Sequence, residues 1–203
     1  MTNVGVLASG SGSNFQALVE ALATFDSARV VVLVCNVPTA PVLERARALG
    51  VPAVAMDHRQ FASREAFDET LVAELKSRDV GLVCLAGYMR LLGPRFLSAF
   101  PQQIINVHPA LLPAFPGMHS VKQAIAAGVR VAGCTVHFVD AGADTGPIIA
   151  QAAVPVLPGD DERSLTARIQ QEEHRLLPTV VKAIARGDLR LEGRTVRLKE
   201  WIG

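Results

Sequence analysis

The stretch Ile104-Ile105-Asn106-Val107-His108-Pro109 has the pattern of a buried β-strand that ends with two polar side chains. Its β-branched start favours a strand, and Pro109 ends that strand and keeps His108 extended. Side chains alternate along a strand, so Asn106 and His108 point to one face. An amide and an imidazole held side by side suit the polarisation of a carbonyl group. The alternative is a structural polar pair at a strand end.

Apolar runs before this stretch alternate with helical patterns. Strands are predicted at 4–8, 30–35, 51–56, 81–86 and 104–108, and helices begin near Ser13, at Pro41, after Ser63 and at Pro94. Strands that are apolar on both faces and alternate with helices indicate an α/β fold with a mostly parallel sheet covered on both sides.

The pattern changes after Gly133. Two strands, 135–139 and 148–156, are typical of an antiparallel pair, and a helix capped by Asp160 or Asp161 extends to about Arg186. A terminal hairpin is predicted over 188–198. His137 lies in the middle of a predicted strand, where a satisfied core histidine is the favoured interpretation.

Composition limits the classes of function. The length of 203 residues, 50% of them hydrophobic, predicts one domain over 1–203. The formal net charge of +1 excludes a strong overall positive potential that would attract nucleic acid or an anionic membrane. Three scattered cysteines without metal or redox spacing indicate free thiols in a reducing compartment. With no signal peptide and no long apolar span, we expect a cytoplasmic protein.

The glycine-rich turn at residues 9–14, Ser-Gly-Ser-Gly-Ser-Asn, joins the first strand to a helix. Free amides and the helix dipole at that point favour a phosphate, and the alternative is a tight turn with a Ser or Asn cap. Phe15 stands where a dinucleotide fingerprint would need glycine, and no lysine follows as in a Walker loop.

Carboxylates are further candidates. A carboxylate of the loop 140–147 could face His108 and raise its pKa, or Asp140 and Asp144 could serve as Asx caps. Glu173 interrupts the apolar helical stripe formed by Ile169, Leu176 and Val180. A buried carboxylate needs a partner, which could be a ligand amine or a basic side chain of the protein.

These segments together resemble the folate-dependent formyltransferases, and most closely the branch that acts on glycinamide ribonucleotide. The resemblance covers almost the whole chain and is carried by residues 9–14, 63–65, 85–90, 106–113, 115–117, 140–147 and 170–174. It implies a Rossmann-like formyltransferase fold, in which a mostly parallel twisted sheet has helices on both faces and an antiparallel C-terminal extension.

The resemblance also implies a reaction of purine biosynthesis. A formyl group would pass from the co-substrate 10-formyltetrahydrofolate to the amino group of glycinamide ribonucleotide through a tetrahedral intermediate, with no metal. Asn106 and His108 would stabilise the oxyanion, and Asp144 would keep His108 protonated. Neither nucleic acid nor membrane is implied as a partner, and the oligomeric state is left open, with a homodimer as one option.

Binding roles follow from the same resemblance. Gly12, Ser13 and Asn14 would hold the ribonucleotide phosphate, with Gln170 and Glu173 at the glycinamide end. Arg64 would pair with a carboxylate of the folate's glutamate tail. The pterin would be bound by residues on two loops and at the strand end: Met89, Arg90, Leu91, Leu92, Asn106, Asp140, Ala141, Gly142, Ala143 and Asp144.

Other functions stay open. A formyltetrahydrofolate hydrolase would share Asn106, His108 and Asp144 and use water as acceptor, but such enzymes usually carry a regulatory domain ahead of the first strand. A methionyl-tRNA formyltransferase would need a further tRNA-binding domain, which length and charge disfavour. A folate- or nucleotide-binding protein without transferase activity is disfavoured by the intact polar set. We also hypothesise that the loop 109–120, with three prolines and Gly117, moves during turnover.

Overall fold

The computed structural model describes residues 1–199 and divides into two compact units, with the boundary between Ile105 and Asn106. The expectation of a single formyltransferase domain over 1–203 therefore stays a prediction. The sheet has seven strands in the order β3-β2-β1-β4-β5-β6-β7, and a separate two-stranded hairpin follows. Within residues 1–199, no helix combines the length and the apolar character needed to cross a membrane.

The first unit alternates strands and helices. Its elements are β1 (Thr2–Ala8), α1 (Ser13–Leu22), β2 (Ala28–Cys35), α2 (Val42–Ala48), β3 (Ala53–Ala55), α3 (Arg64–Lys76), β4 (Leu82–Leu85), α4 (Pro94–Ala99) and the start of β5 (Ile104–His108). β1 pairs in parallel with β2 and β4, and β2 pairs in parallel with β3. All four residues of β4 are buried, as its continuous apolar run predicts.

The second unit contains the end of β5, then α5 (Ser120–Ala126), β6 (Val131–Phe138), β7 (Ile148–Pro155), α6 (Glu162–Arg186), β8 (Leu189–Glu192) and β9 (Thr195–Leu198). β6 and β7 are antiparallel, and so are β8 and β9. The predicted α/β class, with a mostly parallel sheet and an antiparallel C-terminal part, is thus confirmed.

The capping residues predicted from the sequence agree with the observed starts of the helices α3 and α6. The Ser63 hydroxyl accepts the Ala66 amide at the start of α3, and Asp161 with Ser164 forms a capping box at the start of α6. The strand predicted over 51–56 is present but shorter, since β3 covers only Ala53–Ala55 at the edge of the sheet. α5 was not predicted, because its seven residues carry too short an apolar repeat to show a period.

The β6–β7 pair generates a prediction about stability. A Cβ on Gly133 would lie 2.0 Å from the Ala152 carbonyl oxygen, so Gly133→Ala should separate the strands and lower the free energy of unfolding by about 1–3 kcal/mol. Gly81→Ala is the matched control, because a Cβ there meets nothing within 4 Å. Urea unfolding of both variants provides the measurement, and equal stabilities would contradict the packing argument.

Candidate active site

The Asp144 carboxylate gathers polar groups from two strands and a loop. Asp144 Oδ2 lies 3.3 Å from His108 Nδ1 and accepts the Gly117 amide at 2.8 Å. Asp144 Oδ1 lies 3.5 Å from His137 Nε2 and accepts Asn106 Nδ2 at 3.2 Å. The structure therefore brings together Asn106, His108 and Asp144, the three residues to which the sequence analysis gave catalytic roles.

These contacts set the charge of Asp144. The hydrogen bond with the His137 side chain is the largest influence, and with the Gly117 amide and the charges of both histidines it outweighs burial and lowers the pKa of Asp144 to about 2. Asp144 is therefore an ionised carboxylate at neutral pH. It can attract and orient donors, but it cannot itself supply a proton.

The two aspartates of the loop 140–147 differ in role. Asp140 Oδ1 accepts the Gly142 amide at 3.1 Å and the Thr145 hydroxyl at 2.6 Å, which is the Asx-turn alternative. Asp144 instead has a φ of 55°, a left-handed conformation that aspartate tolerates better than most residues, and its side chain points towards His108. The Asx interpretation thus holds for Asp140 alone.

His108 has an acceptor at each ring nitrogen. Nδ1 faces the Asp144 carboxylate, and Nε2 lies 2.9 Å from the carbonyl oxygen of Phe115. A ring nitrogen that carries a proton can donate it to the oxygen that this nitrogen faces. The ring is 4% exposed, so these two partners fix its orientation.

His137 is a member of this cluster that the sequence analysis placed in the core without a role. Its burial is confirmed, and Nδ1 lies 2.8 Å from the Phe138 carbonyl oxygen. Its Nε2 lies 3.2 Å from Asn106 Nδ2 as well as close to Asp144. The available signal was a polar residue inside the apolar run of β6.

The loop 109–120 is tied to β6 by one buried hydroxyl. Thr135 Oγ1 donates to the Ala110 carbonyl at 2.7 Å and accepts the Leu112 amide at 3.0 Å. The side-chain amide nitrogen of Gln151, Nε2, on β7, donates to Thr135 Oγ1 and to the Leu112 carbonyl. The start of the loop is thereby fixed, whereas Phe115 and Gly117 are held by the histidine and the carboxylate of the site.

The glycine turn forms a separate feature in the first unit. Gly12 occupies the N-cap position of α1 with a φ of 80°. Among the described residues no side chain caps that helix, and no acidic residue lies in its first turn. A Cβ on Gly12 would lie 2.3 Å from Val42 Cγ2, and Arg45 Nε donates to the Ser11 carbonyl at 2.7 Å. An uncapped helix N-terminus of this kind can accept an anion beside Ser13 and Asn14.

The loop 89–92 lies in the same unit. The Met89 amide donates to Ser9 Oγ at 2.9 Å, and Arg64 Nη2 donates to the Leu91 carbonyl at 2.8 Å. Met89 and Leu91 expose about two thirds of their surface, 66% and 63%, whereas Leu92 is buried. Arg64 thus contacts the loop that the resemblance assigns to the pterin.

Gln170 and Glu173 lie one turn apart on α6. Gln170 is half-buried, and Glu173 is 4% exposed on the face that also buries Ile169, Leu176 and Val180. Burial raises the pKa of Cys134 to about 12, and the negative charge of the Glu173 carboxylate is the next cause.

Within residues 1–199, no group of three or more His, Cys, Asp or Glu side chains is arranged to hold a metal ion.

Comparison with known proteins identifies the family. The family model described as Formyl transferase matches residues 2–181. A phosphoribosylglycinamide formyltransferase of Bacillus subtilis (strain 168) is 45% identical over 91% of this chain and 95% of its own length. The chain belongs to the formyl transferase family, in its phosphoribosylglycinamide formyltransferase branch. The resemblance stated from the sequence is therefore confirmed.

Two further relatives extend this comparison. The crystal structure of glycinamide ribonucleotide transformylase 1 from Symbiobacterium toebii is 51% identical, with a TM-score of 0.96 over 98% of this chain and 95% of that one. A trifunctional purine biosynthetic protein of Drosophila melanogaster is 49% identical over 91% of this chain, which spans only 14% of that protein's length.

The lowered pKa of Asp144 predicts how stability depends on pH. Folding lowers this pKa from 3.8 to about 2, so the ionised Asp144 carboxylate contributes to the free energy of unfolding. That contribution is complete above pH 4 and is lost as the pH falls towards 2. Asp144→Asn should therefore lower the free energy of unfolding by about 2.5 kcal/mol at pH 5, at ~1.4 kcal/mol per pKa unit, and by clearly less at pH 3. Urea unfolding at both pH values tests this, and an equal difference at both would argue against the ionic origin.

Proposed function

We propose that the chain transfers the formyl group of 10-formyltetrahydrofolate to the amino group of glycinamide ribonucleotide, in purine biosynthesis. The observation that carries the proposal is the contact of Asp144 with both Asn106 and His108, in a chain of this branch. An amide and a histidine beside an ionised carboxylate are suited to a carbonyl that gains negative charge.

The reaction divides into addition and elimination. The amine nitrogen forms a bond to the formyl carbon, and the electrons of the C=O double bond move to oxygen. The electrons on the oxyanion then re-form the C=O bond as the bond between the carbon and the folate nitrogen breaks. The folate nitrogen takes a proton, and the former amine gives one up. The products are formylated glycinamide ribonucleotide and tetrahydrofolate, and no oxidation or reduction occurs.

His108 is the residue we propose for hydrogen bonding to the oxyanion and for moving the proton. Asp144, with its pKa lowered to about 2, remains ionised and stabilises the positive charge that forms when His108 takes up a proton during the reaction. Since Asp144 faces Nδ1, Nε2 is the nitrogen that can turn to the substrate. Asn106 Nδ2 is the proposed second donor, and it can exchange its contact with His137 or Asp144 for one with the oxyanion.

Binding roles are proposed for each unit by itself. In the first, the uncapped start of α1 at Gly12, Ser13 and Asn14 is proposed for the ribonucleotide phosphate. In the same unit, Arg64 and residues 89–92 are proposed for folate. In the second, Asn106 and residues 140–144 are proposed for the pterin ring, and Gln170 and Glu173 for the glycinamide end.

The experiment that tests the function compares consumption of 10-formyltetrahydrofolate with and without glycinamide ribonucleotide. The expected result is tetrahydrofolate formation that requires the ribonucleotide, together with a product heavier by one formyl group. Release of formate whether or not the amine is present would instead establish a hydrolase. Binding of folate without consumption would establish a binding protein.

The mechanism predicts the effect of removing the imidazole. His108→Ala should lower kcat by about 10²–10⁴-fold and leave both KM values within a few-fold, since the contact matters most when the oxyanion forms. Lys122→Ala, an exposed position on α5, is the control and should keep normal kcat. Steady-state kinetics with unfolding curves for both variants provide the measurement, and near-normal kcat for His108→Ala would remove His108 from the mechanism.

The contact between His108 Nε2 and the Phe115 carbonyl also predicts motion. This carbonyl must leave the ring before Nε2 can contact substrate, so amides near 115–117 should exchange hydrogen faster than those of β5 and change their rate when both substrates bind. Hydrogen exchange with mass spectrometry measures this. Exchange as slow as in β5, with and without substrates, would contradict the motion.

A further inference from the structure

One face of α3 holds the loop that precedes α4. Arg64, Phe67 and Asp68 lie at i, i+3 and i+4 of the helix and therefore share a face. Besides the bond from Arg64 to Leu91, the Arg90 guanidinium carbon lies 5.2 Å from the centre of the Phe67 ring. Asp68 Oδ2 accepts the Gly93 amide at 2.8 Å. Three successive contacts thus connect the helix to residues 90–93.

The Asp68 contact differs from the others because it is buried. Asp68 is only 3% exposed, and burial raises the pKa of its carboxyl group, while the bond from the Gly93 amide acts in the opposite direction. Asp68 lies four residues after Arg64, a spacing that is typical of a surface ion pair, but its burial is not that of an exposed side chain. A carboxylate taken out of water needs a specific partner, and here a loop amide provides one.

Gly93 fits this carboxylate for reasons of space. Its φ of −80° and ψ of 167° are open to any residue, so the backbone does not require glycine. A Cβ at this position would lie 2.3 Å from Asp68 Oδ2. The absent side chain therefore allows the carboxylate to reach the amide.

We infer that Asp68 is a positioning residue for folate: its buried carboxylate fixes the Gly93 amide and so sets the course of the loop 89–92. This inference rests on the proposed function, which assigns that loop to the folate. The Ser9 hydroxyl fixes the Met89 amide at the other end. The backbone of residues 90–92, proposed to bind folate, is held between these two bonds.

The inference predicts a selective effect of substitution. Asp68→Ala should raise the KM for 10-formyltetrahydrofolate about tenfold, as expected for loss of one charge-assisted hydrogen bond, with kcat and the KM for the ribonucleotide within twofold. Asp68→Asn keeps an acceptor oxygen and should have a smaller effect. Glu69→Ala is the matched control, because this exposed neighbour on α3 pairs with Arg95 and not with the loop.

A double-mutant cycle with Gly93 makes the test specific. Gly93→Ala should raise the same KM, since the new methyl group displaces the carboxylate. In the Asp68→Ala background it should add almost nothing, because the obstructing oxygen is gone. Additive effects would overturn the inference, and the cycle remains informative even if one single variant is less stable.

Two further measurements separate this inference from the proposed function. Hydrogen exchange at the Gly93 amide should accelerate in Asp68→Ala, and calorimetric titration should show weaker tetrahydrofolate binding. Faster exchange with unchanged folate affinity, or equal losses for both substrates, would overturn the positioning role. If the wild type binds tetrahydrofolate in an Asp68-dependent way but transfers no formyl group, the inference stands and the proposed function fails.

Discussion

The site depends on one constraint: an ionised Asp144 carboxylate that must satisfy several donors at once. His108, His137, Asn106 and the Gly117 amide all lie within 3.5 Å of its two oxygens. A carboxylate that is 16% exposed needs such partners, and each partner is oriented in return. The left-handed backbone of Asp144 is the local strain that accompanies this geometry.

Rigid strands and buried polar side chains hold in place the loops that carry the site. β5 supplies Asn106 and His108, which are two residues apart and therefore lie on the same face of the strand. β6 supplies His137 and the buried Thr135 hydroxyl that fixes the start of the loop 109–120. The loop 140–147 is stabilised internally by Asp140, and Arg194 of the C-terminal hairpin contacts the Thr145 carbonyl. Functional groups on loops that rigid strands hold in place are a general arrangement in enzymes.

The first unit uses the same principle with different groups. Backbone amides, which no sequence motif distinguishes, are fixed by the side chains of Ser9 and Asp68. The glycine turn can be identified from its residue types, and the loop 89–92 from the resemblance. Asp68 could not be assigned from the sequence, because a carboxylate at helical spacing from an arginine has the pattern of a surface ion pair until its burial is known.

The sequence by itself determined the α/β class, most of the elements, the Ser63 cap and the shared face of Asn106 and His108, because periodicity, caps and the alternation of side chains along a strand are local properties. It also determined membership of the formyl transferase family, through its motifs. Only the tertiary structure showed the contact between Asp144 and His108 that the resemblance implies, and only it decided that His137 joins them and that Asp68 reaches Gly93. These outcomes depend on burial and on contacts between residues distant in the chain. Alternation along a strand shows which face a side chain occupies, but it does not show which residue that side chain meets.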